Sequence, residues 1–397
     1  MNSRPLPFSG LALAAAAVLT LAGVASAQEQ APSNAELERR LETLAAELEA
    51  LRMDGGARQA PDASYTGMGP AASRVYGEGG QVSIGGYGEV VAGFSSDRED
   101  MTDALRVITY FGYRFDEDWV FNSEVEFEHG DELSVEFAYI DGPLAGDVRM
   151  RAGHLLVPMG IVNEMHEPTT FWSVDRPVTE RFVLPSTWHE NGVGAYGTVG
   201  GFAWRGYLMN GFDADDFDLA DSGLRSGRQK GSKASAESLA VVARVDWEGT
   251  PGLLVGAAAY RGDSSQDSGG ADNATTIWDL HAEWQPGAWR FRGLYADATV
   301  EEAAQLATPA ASDDLGGWYL EGGYDLFAGG PTALIPFARW EEVDLQDGVS
   351  GGAIDVATVG IAWQPRPEII FKLDWQRRDS DADGREDILG LAVAWIF

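Results

Sequence analysis

The chain has 397 residues, among them 49 Gly, 13 Trp, 12 Tyr and 17 Phe but no Cys, and it carries a formal charge of −34. The missing cysteine excludes disulfides and thiolate chemistry, and so acidic a chain is a poor partner for nucleic acid. A composition rich in glycine and aromatic residues fits a strand-built membrane barrel better than a soluble enzyme core.

In chain order, Arg4, an apolar run over residues 11–24 and Ala25-Ser26-Ala27 form a secretory leader with an A-x-A cleavage site. Residues 1–27 are therefore expected to be a signal peptide, with mature protein starting at Gln28. Beyond Val24 no stretch approaches the ~18 apolar residues of a membrane-spanning helix. Ser33-Asn34-Ala35-Glu36 reads as a capping box. Leu37, Leu41, Leu44, Leu48 and Leu51 then mark a coiled-coil seam that assigns residues 28–53 to a short periplasmic helix associating with copies of itself. Residues 54–80, rich in Gly, Pro, Ser and Ala, are expected to be a flexible linker.

Residues 81–397 predict an all-β fold, a 16-stranded antiparallel transmembrane β-barrel. Strands are expected to start near residues 82, 104, 119, 133, 147, 191, 202, 236, 252, 274, 288, 314, 332, 352, 368 and 386. Short connections such as 116–118, 200–201 and 286–287 alternate with long ones. The long set, 96–103, 212–235, 262–273, 301–313, 345–351 and 379–385, is mostly polar and acidic and is expected to face outside. The last strand alternates Leu389, Leu391, Val393, Trp395 and Phe397 on one face, like the closing strand of an outer-membrane barrel.

Period-two alternation sorts the faces. Leu105, Val107, Thr109, Phe111, Tyr113 and Phe115 oppose Arg106 and Arg114, and Phe121, Val125 and Phe127 oppose Glu124, Glu126 and Glu128. The same partition sets Trp278, Leu280 and Trp284 against Asp279, His281 and Glu283. One face suits lipid, the other water. The residues expected to line the pore are Arg106, Arg114, Glu124, Glu126, Glu128, Glu136, Arg149, Arg151, Arg290, Arg292 and Lys372, with Glu283 and Glu321 facing the same interior.

Residues 157–190 break the pattern as a connection of unusual length carrying Ile161, Phe171, Trp172, Phe182 and Trp188. An apolar loop of that size must fold onto something. Turned into the lumen, it presents Glu164, His166, Glu167, Asp175, Arg176, Glu180 and Arg181 to the remaining aperture as a constriction loop.

The run from Arg151 through His154, Pro158 and Gly160, then Asn163-Glu164, Arg176 to Arg181, Phe182-Val183-Leu184-Pro185 and Asn191-Gly192-Val193-Gly194, resembles the phosphate-selective porin O/P superfamily, in its branch with an N-terminal coiled coil. The resemblance covers residues 81–200 in detail. It implies a homotrimeric, sixteen-stranded diffusion channel embedded in outer-membrane lipid. Phosphate selectivity does not follow from it, since the family's selectivity depends on a ladder of lysines and arginines and only Lys230, Lys233 and Lys372 are present here.

No enzyme is expected. The five histidines form no H-E-x-x-H pair, no G-x-S-x-G occurs, and neither a cofactor motif nor a metal motif is found. Asp379-Ser380-Asp381-Ala382-Asp383-Gly384 imitates the start of a calcium loop, but Gly390 stands where a bidentate Glu is needed, so a hairpin tip is expected. The functional expectation is a porin for passive diffusion of small hydrophilic solutes, charged ones among them, with its ion preference left open between the acidic and arginine rows. The alternative is a structural or cell-wall tethering role in the outer membrane, and after it a barrel enzyme.

Overall fold

The computed structural model describes residues 67–77, 80–266 and 272–397. The signal peptide, the coiled coil and most of the expected linker lie outside the described residues.

Period-two sequence produces long strands wherever apolar and polar positions alternate. They are β1 (Val82–Ser95), β2 (Met101–Arg114), β3 (Val120–Glu128), β4 (Glu132–Ala145), β5 (Val148–Leu156), β6 (His189–Val199), β7 (Phe202–Asn210) and β8 (Leu239–Thr250). The second half comprises β9 (Leu253–Asp263), β10 (Ala274–Trp284), β11 (Trp289–Val300), β12 (Asp314–Tyr324), β13 (Ala333–Asp344), β14 (Ala353–Arg366), β15 (Ile369–Ser380) and β16 (Gly384–Ile396). Each starts within three residues of its expected position. Neighbours in sequence pair antiparallel and β16 returns to β1, so the sheet closes without an edge. Phe397 completes the seam by exchanging main-chain hydrogen bonds with Gly86 at 2.9 and 3.0 Å.

The two faces separate as the alternation requires. Leu373 is 44% exposed on the outside of β15, while its chain neighbour Lys372 is 2% exposed on the inside. Phe111, Phe127, Leu280, Ile361 and Leu391 share the exposed outer face, whereas Glu124, Asp246, Asp279, Glu341 and Asp374 are buried. Aromatic residues gather at the short-turn end: Trp289 stacks on Phe291 at 5.6 Å and meets Tyr324 at 4.9 Å, and Trp363 stacks on Phe371 at 5.2 Å. Rings that are apolar in body and polar at the tip suit a membrane–water boundary.

Two stretches depart from expectation. The sequence places a polar outer loop at residues 212–235, yet in the connection 211–238 Phe212, Phe217, Leu219 and Leu224 are buried. Phe212 stacks on Trp188 at 4.5 Å and both meet Tyr260, so this connection folds over the mouth. Its aromatic residues need cover that an exposed loop does not give. The end of the expected linker is also ordered: a 3₁₀ turn at Ala72–Tyr76 lies against the inner wall, with Met68, Ala71, Ala72 and Val75 buried. Asp381 to Asp383, by contrast, form the hairpin tip between β15 and β16.

Because Leu373 faces outward near the middle of β15, Leu373→Arg is expected to destabilise the barrel in lipid vesicles by roughly 2–4 kcal/mol. Denaturant titration of wild type and variant in the same vesicles checks the value.

Candidate solute aperture

Residues 157–188, the third connection at the end opposite the short turns, turn into the barrel. One side chain closes their neck: Asn163 donates to the carbonyls of Val157 (2.7 Å) and Trp188 (2.9 Å) and accepts from the Trp188 N–H (2.7 Å). Gly160 adopts φ +68, and a Cβ there would lie 2.5 Å from Glu180 Oε2, so glycine is needed for both backbone and space. The short helix Val178–Phe182 follows Pro177, with Glu180 in its first turn and Arg181 in its last, an order that complements the helix dipole. Glu180 then accepts from the Ile161 and Val162 N–H groups (2.9 and 2.6 Å) and from Tyr319 Oη (2.6 Å).

Charged wall residues hold this loop on several sides. On β7 to β10, Arg205 bridges Glu164 (2.6 Å) and Asp246 (3.2 Å), and Arg244 pairs with Asp246 at 2.8 Å and donates to the Gly160 carbonyl. His281 links Asp246 (2.8 Å) to Asp279 (2.6 Å), whose other oxygen accepts the Gly160 N–H at 3.1 Å. On β11 to β13, Arg292 donates to Thr170 O, Arg339 bridges Glu321 and Glu341 while donating to Ser173 Oγ, and Glu341 accepts the Val178 N–H at 2.6 Å. On β15, Asp374 accepts the Val174 N–H at 2.6 Å, and Lys372 lies 3.6 Å from the Phe171 ring centre and 3.6 Å from Glu89.

Facing β3 and β4, His166 lies 3.2 Å from Glu124 and 3.0 Å from Glu136. Burial opposes its charge, but the two carboxylates outweigh burial and push its pKa up to about 10. Beside it Glu167 accepts the Ala71 and Ala72 N–H groups at 3.0 and 2.9 Å, which docks the incoming segment 67–77 on the loop. Asn122 donates to Ala72 O, and Arg114 donates to Val75 O and Gly77 O.

These bonds sort the residues expected at the pore. Arg106, Glu124, Glu126, Glu136, Arg151 and Lys372 are nearly inaccessible, as are Glu164, His166, Glu167 and Glu180. Arg149 and Arg151 both clamp Asp141, each at 2.9 Å, and Arg290 pairs with Asp325 at 3.3 Å. Arg114, Glu128, Arg149, Arg290, Arg292 and Arg176 are part-exposed, and Asp175 and Arg181 are exposed. The sequence reading passed over Arg205, Arg244, Asp246, Arg339 and Glu341, although strand parity alone places them inward beside outward Trp204, Val245 and Trp340. Arg225 and Arg228 sit in the irregular connection 211–238, where no period marks them.

Those last two belong to a distinct group. Among the described residues, Arg176, Arg181, Arg225, Arg228 and Arg378 have no carboxylate within 4.0 Å. Arg225 donates to Ser186 O and Arg228 to Thr187 O, main-chain partners that neutralise nothing. Burial, then the neighbouring Arg228, Arg181 and Arg176 guanidiniums, lower the pKa of Arg225. An arginine stays protonated regardless, so a positive charge is held here away from water beside like charges. At the opposite, short-turn end two clefts share Met165 and Glu283 as a wall: one of ≈ 490 Å³ reaching Trp172, Arg290 and Arg292, one of ≈ 270 Å³ reaching Arg205 and Arg244.

An uncharacterised protein of Aquifex aeolicus (strain VF5) is 36% identical over 365 residues, covering 84% of each chain. The chain belongs to the same family as that Aquifex protein. No family model matches it. Among solved structures, Salmonella typhi OmpF in complex with daunomycin aligns with a TM-score of 0.56 at 11% identity, over 80% of this chain and 97% of that one. In-vitro folded OmpT, an outer-membrane protein of Vibrio cholerae, gives 0.54 at 11% identity over 80% and 97%. An anion-selective porin from Comamonas acidovorans gives 0.53 at 12% identity over 80% and 99%. The Aquifex family thus has a porin-like barrel fold.

Removing the neck clamp tests how the loop is held. Asn163→Ala leaves the buried Trp188 N–H unpartnered and takes a second donor from the Val157 and Trp188 carbonyls, and is expected to cost roughly 2–3 kcal/mol locally. Hydrogen exchange across residues 157–188 should then accelerate by about 30-fold or more while β1 to β16 keep their protection.

Proposed function

We propose that this chain is an outer-membrane diffusion channel of the porin type whose aperture, bounded by the third loop, favours small hydrophilic anions. The observation carrying this reading is the asymmetry of the interior charges. Most buried carboxylates are engaged by arginine, histidine or main-chain N–H partners, whereas the guanidiniums of Arg176, Arg181, Arg225, Arg228 and Arg378 have no carboxylate within 4.0 Å. A guanidinium presents a planar fork of donors that fits carboxylates and oxyanions. The acidic outer connections then form a vestibule whose charge opposes that of the aperture.

The fold shared with porins, one of them described as anion-selective, supports the channel reading and not the ion. The resemblance of residues 151–194 to the phosphate-selective O/P branch, assembly as a homotrimer, a cleaved leader over 1–27 and a periplasmic coiled coil over 28–53 with its linker belong to the same proposal. Transport is passive and requires no cofactor, and no chemical step is assigned to any residue.

The test is the reversal potential of the refolded protein in a planar bilayer under a potassium chloride gradient. The wild type is expected to favour chloride. Arg181→Glu, an exposed site, should shift the preference severalfold toward potassium, and Arg181→Glu with Arg225→Glu further, with larger shifts at about 0.1 M salt than at 1 M because screening shortens the reach of each charge. A potassium-favouring wild type contradicts the anion assignment. Absence of conductance from correctly folded barrels contradicts the channel itself.

A further inference from the structure

Where loop 3 meets β3 and β4, three side chains of metal-ligand type converge. His166 Nε2 lies 3.2 Å from Glu124 Oε1 and 3.0 Å from Glu136 Oε2, and one ligand atom from each residue falls within 4.8 Å of the others. Ligand atoms held tetrahedrally at about 2.0–2.2 Å from zinc stand roughly 3.3–3.5 Å apart. The two imidazole–carboxylate distances are within a few tenths of an ångström of that spacing, and the two carboxylates lie within 4.8 Å of each other. All three residues are at most 2% exposed.

The second observation concerns what the carboxylates lack. Glu124 Oε2 is buried without a hydrogen-bond partner, as is Oε1 of the adjoining Glu126, and Glu136 Oε2 faces His166 Nε2 at 3.0 Å. Neighbouring cations serve other acids: Arg106 lies 3.7 Å from Glu89 and 4.0 Å from Glu126, and Lys372 lies 3.6 Å from Glu89. Among the described residues neither comes within 4.0 Å of Glu124 or Glu136. Two buried carboxylates share one imidazole here, and a divalent ion offsets their charge more fully than a single imidazolium does.

The imidazole is also set up as a ligand. His166 Nδ1–H donates to the Asn163 carbonyl at 2.7 Å, which directs Nε2 at the two carboxylates. Asn163 is itself locked by its three bonds at the loop neck. A histidine whose far nitrogen donates to a carbonyl is the usual support for a metal-ligating ring. Calcium and magnesium prefer an all-oxygen shell of six or more, whereas one nitrogen and two carboxylates suit a divalent transition ion.

We propose that Glu124, Glu136 and His166 bind one divalent transition-metal ion of the zinc type, which fastens loop 3 to β3 and β4. Glu124 and Glu136 come from adjacent strands and His166 from the loop, so one ion cross-links three segments of a chain that has no cysteine to do so. The inference goes beyond the channel reading and does not depend on it.

The experiment uses the full-length folded barrel, stripped with EDTA and titrated with zinc chloride by calorimetry, with thermal melts and bilayer conductance from the same preparation. Saturation at one zinc per chain with a rise in Tm of several degrees is expected. Glu136→Gln should weaken binding about 100-fold, and His154→Ala, whose ring lies outside the cluster, should leave it unchanged. Wild-type protein that neither binds zinc nor gains thermal stability overturns the proposal and leaves His166 as an imidazolium between two carboxylates. Loss of zinc in His154→Ala with retention in Glu136→Gln overturns it as well, by placing the ion elsewhere. Conductance without zinc binding removes only the metal site, and zinc binding without conductance removes only the channel.

Discussion

The interior of this barrel depends on one interaction, the ionised wall side chain that hydrogen-bonds the main chain of an irregular segment. A loop without helix or strand has unpaired N–H and C=O groups, and away from bulk water each needs a partner. Here Asp279 accepts from Gly160, Asp374 from Val174 and Glu341 from Val178. In the other direction Arg244, Arg292 and Arg339 donate to the carbonyls of Gly160, Thr170 and Asp175. Hydrogen bonds to charged groups contribute roughly 1.5–3 kcal/mol each, more than neutral ones. A loop tied in this way on several sides behaves as part of the wall.

Part of the chain's acidity has this structural cause. Glu190 accepts three consecutive N–H groups, from Gln229, Lys230 and Gly231, which anchors the connection 211–238 over the mouth just as Glu167 anchors residues 71 and 72 below it. The carboxylates spent on N–H groups and arginines contribute little free field. On the proposed channel reading, net charge is therefore a poor guide to the aperture, where the few charges without a counter-ion within 4.0 Å would set the preference.

The barrel was legible because its two periodic signals reinforce each other. Alternation assigned Lys372 inward and Leu373 outward from identity alone, and turn residues such as Gly200-Gly201 and Pro286-Gly287 fixed where each strand ended. The third loop was legible by its length and its apolar content. Two things were not. Residues 67–77 share the small, polar composition of a linker, and partners far away in sequence, the acceptor Glu167 and the donors Asn122 and Arg114, order them. Phe212, Phe217 and Leu224 are scattered among aspartates at no period, so nothing in their spacing reveals that they are buried, Phe212 against Trp188 and Tyr260. Parity should have exposed Arg205, Arg244 and Arg339, but their pairing with particular carboxylates depends on strand register, which residue types do not carry.

The absence of cysteine permits a direct test of the claim that the tethered third loop bounds the pathway. Single cysteines at Arg181, on that loop, and at Gln346, in an outer connection, would be reacted with neutral thiol reagents of increasing size while current is recorded across a planar bilayer. The account predicts that conductance falls in proportion to reagent size at position 181 and is unchanged at position 346. Full labelling at position 181 with undiminished current would mean that ions pass elsewhere, and that the loop does not set the aperture.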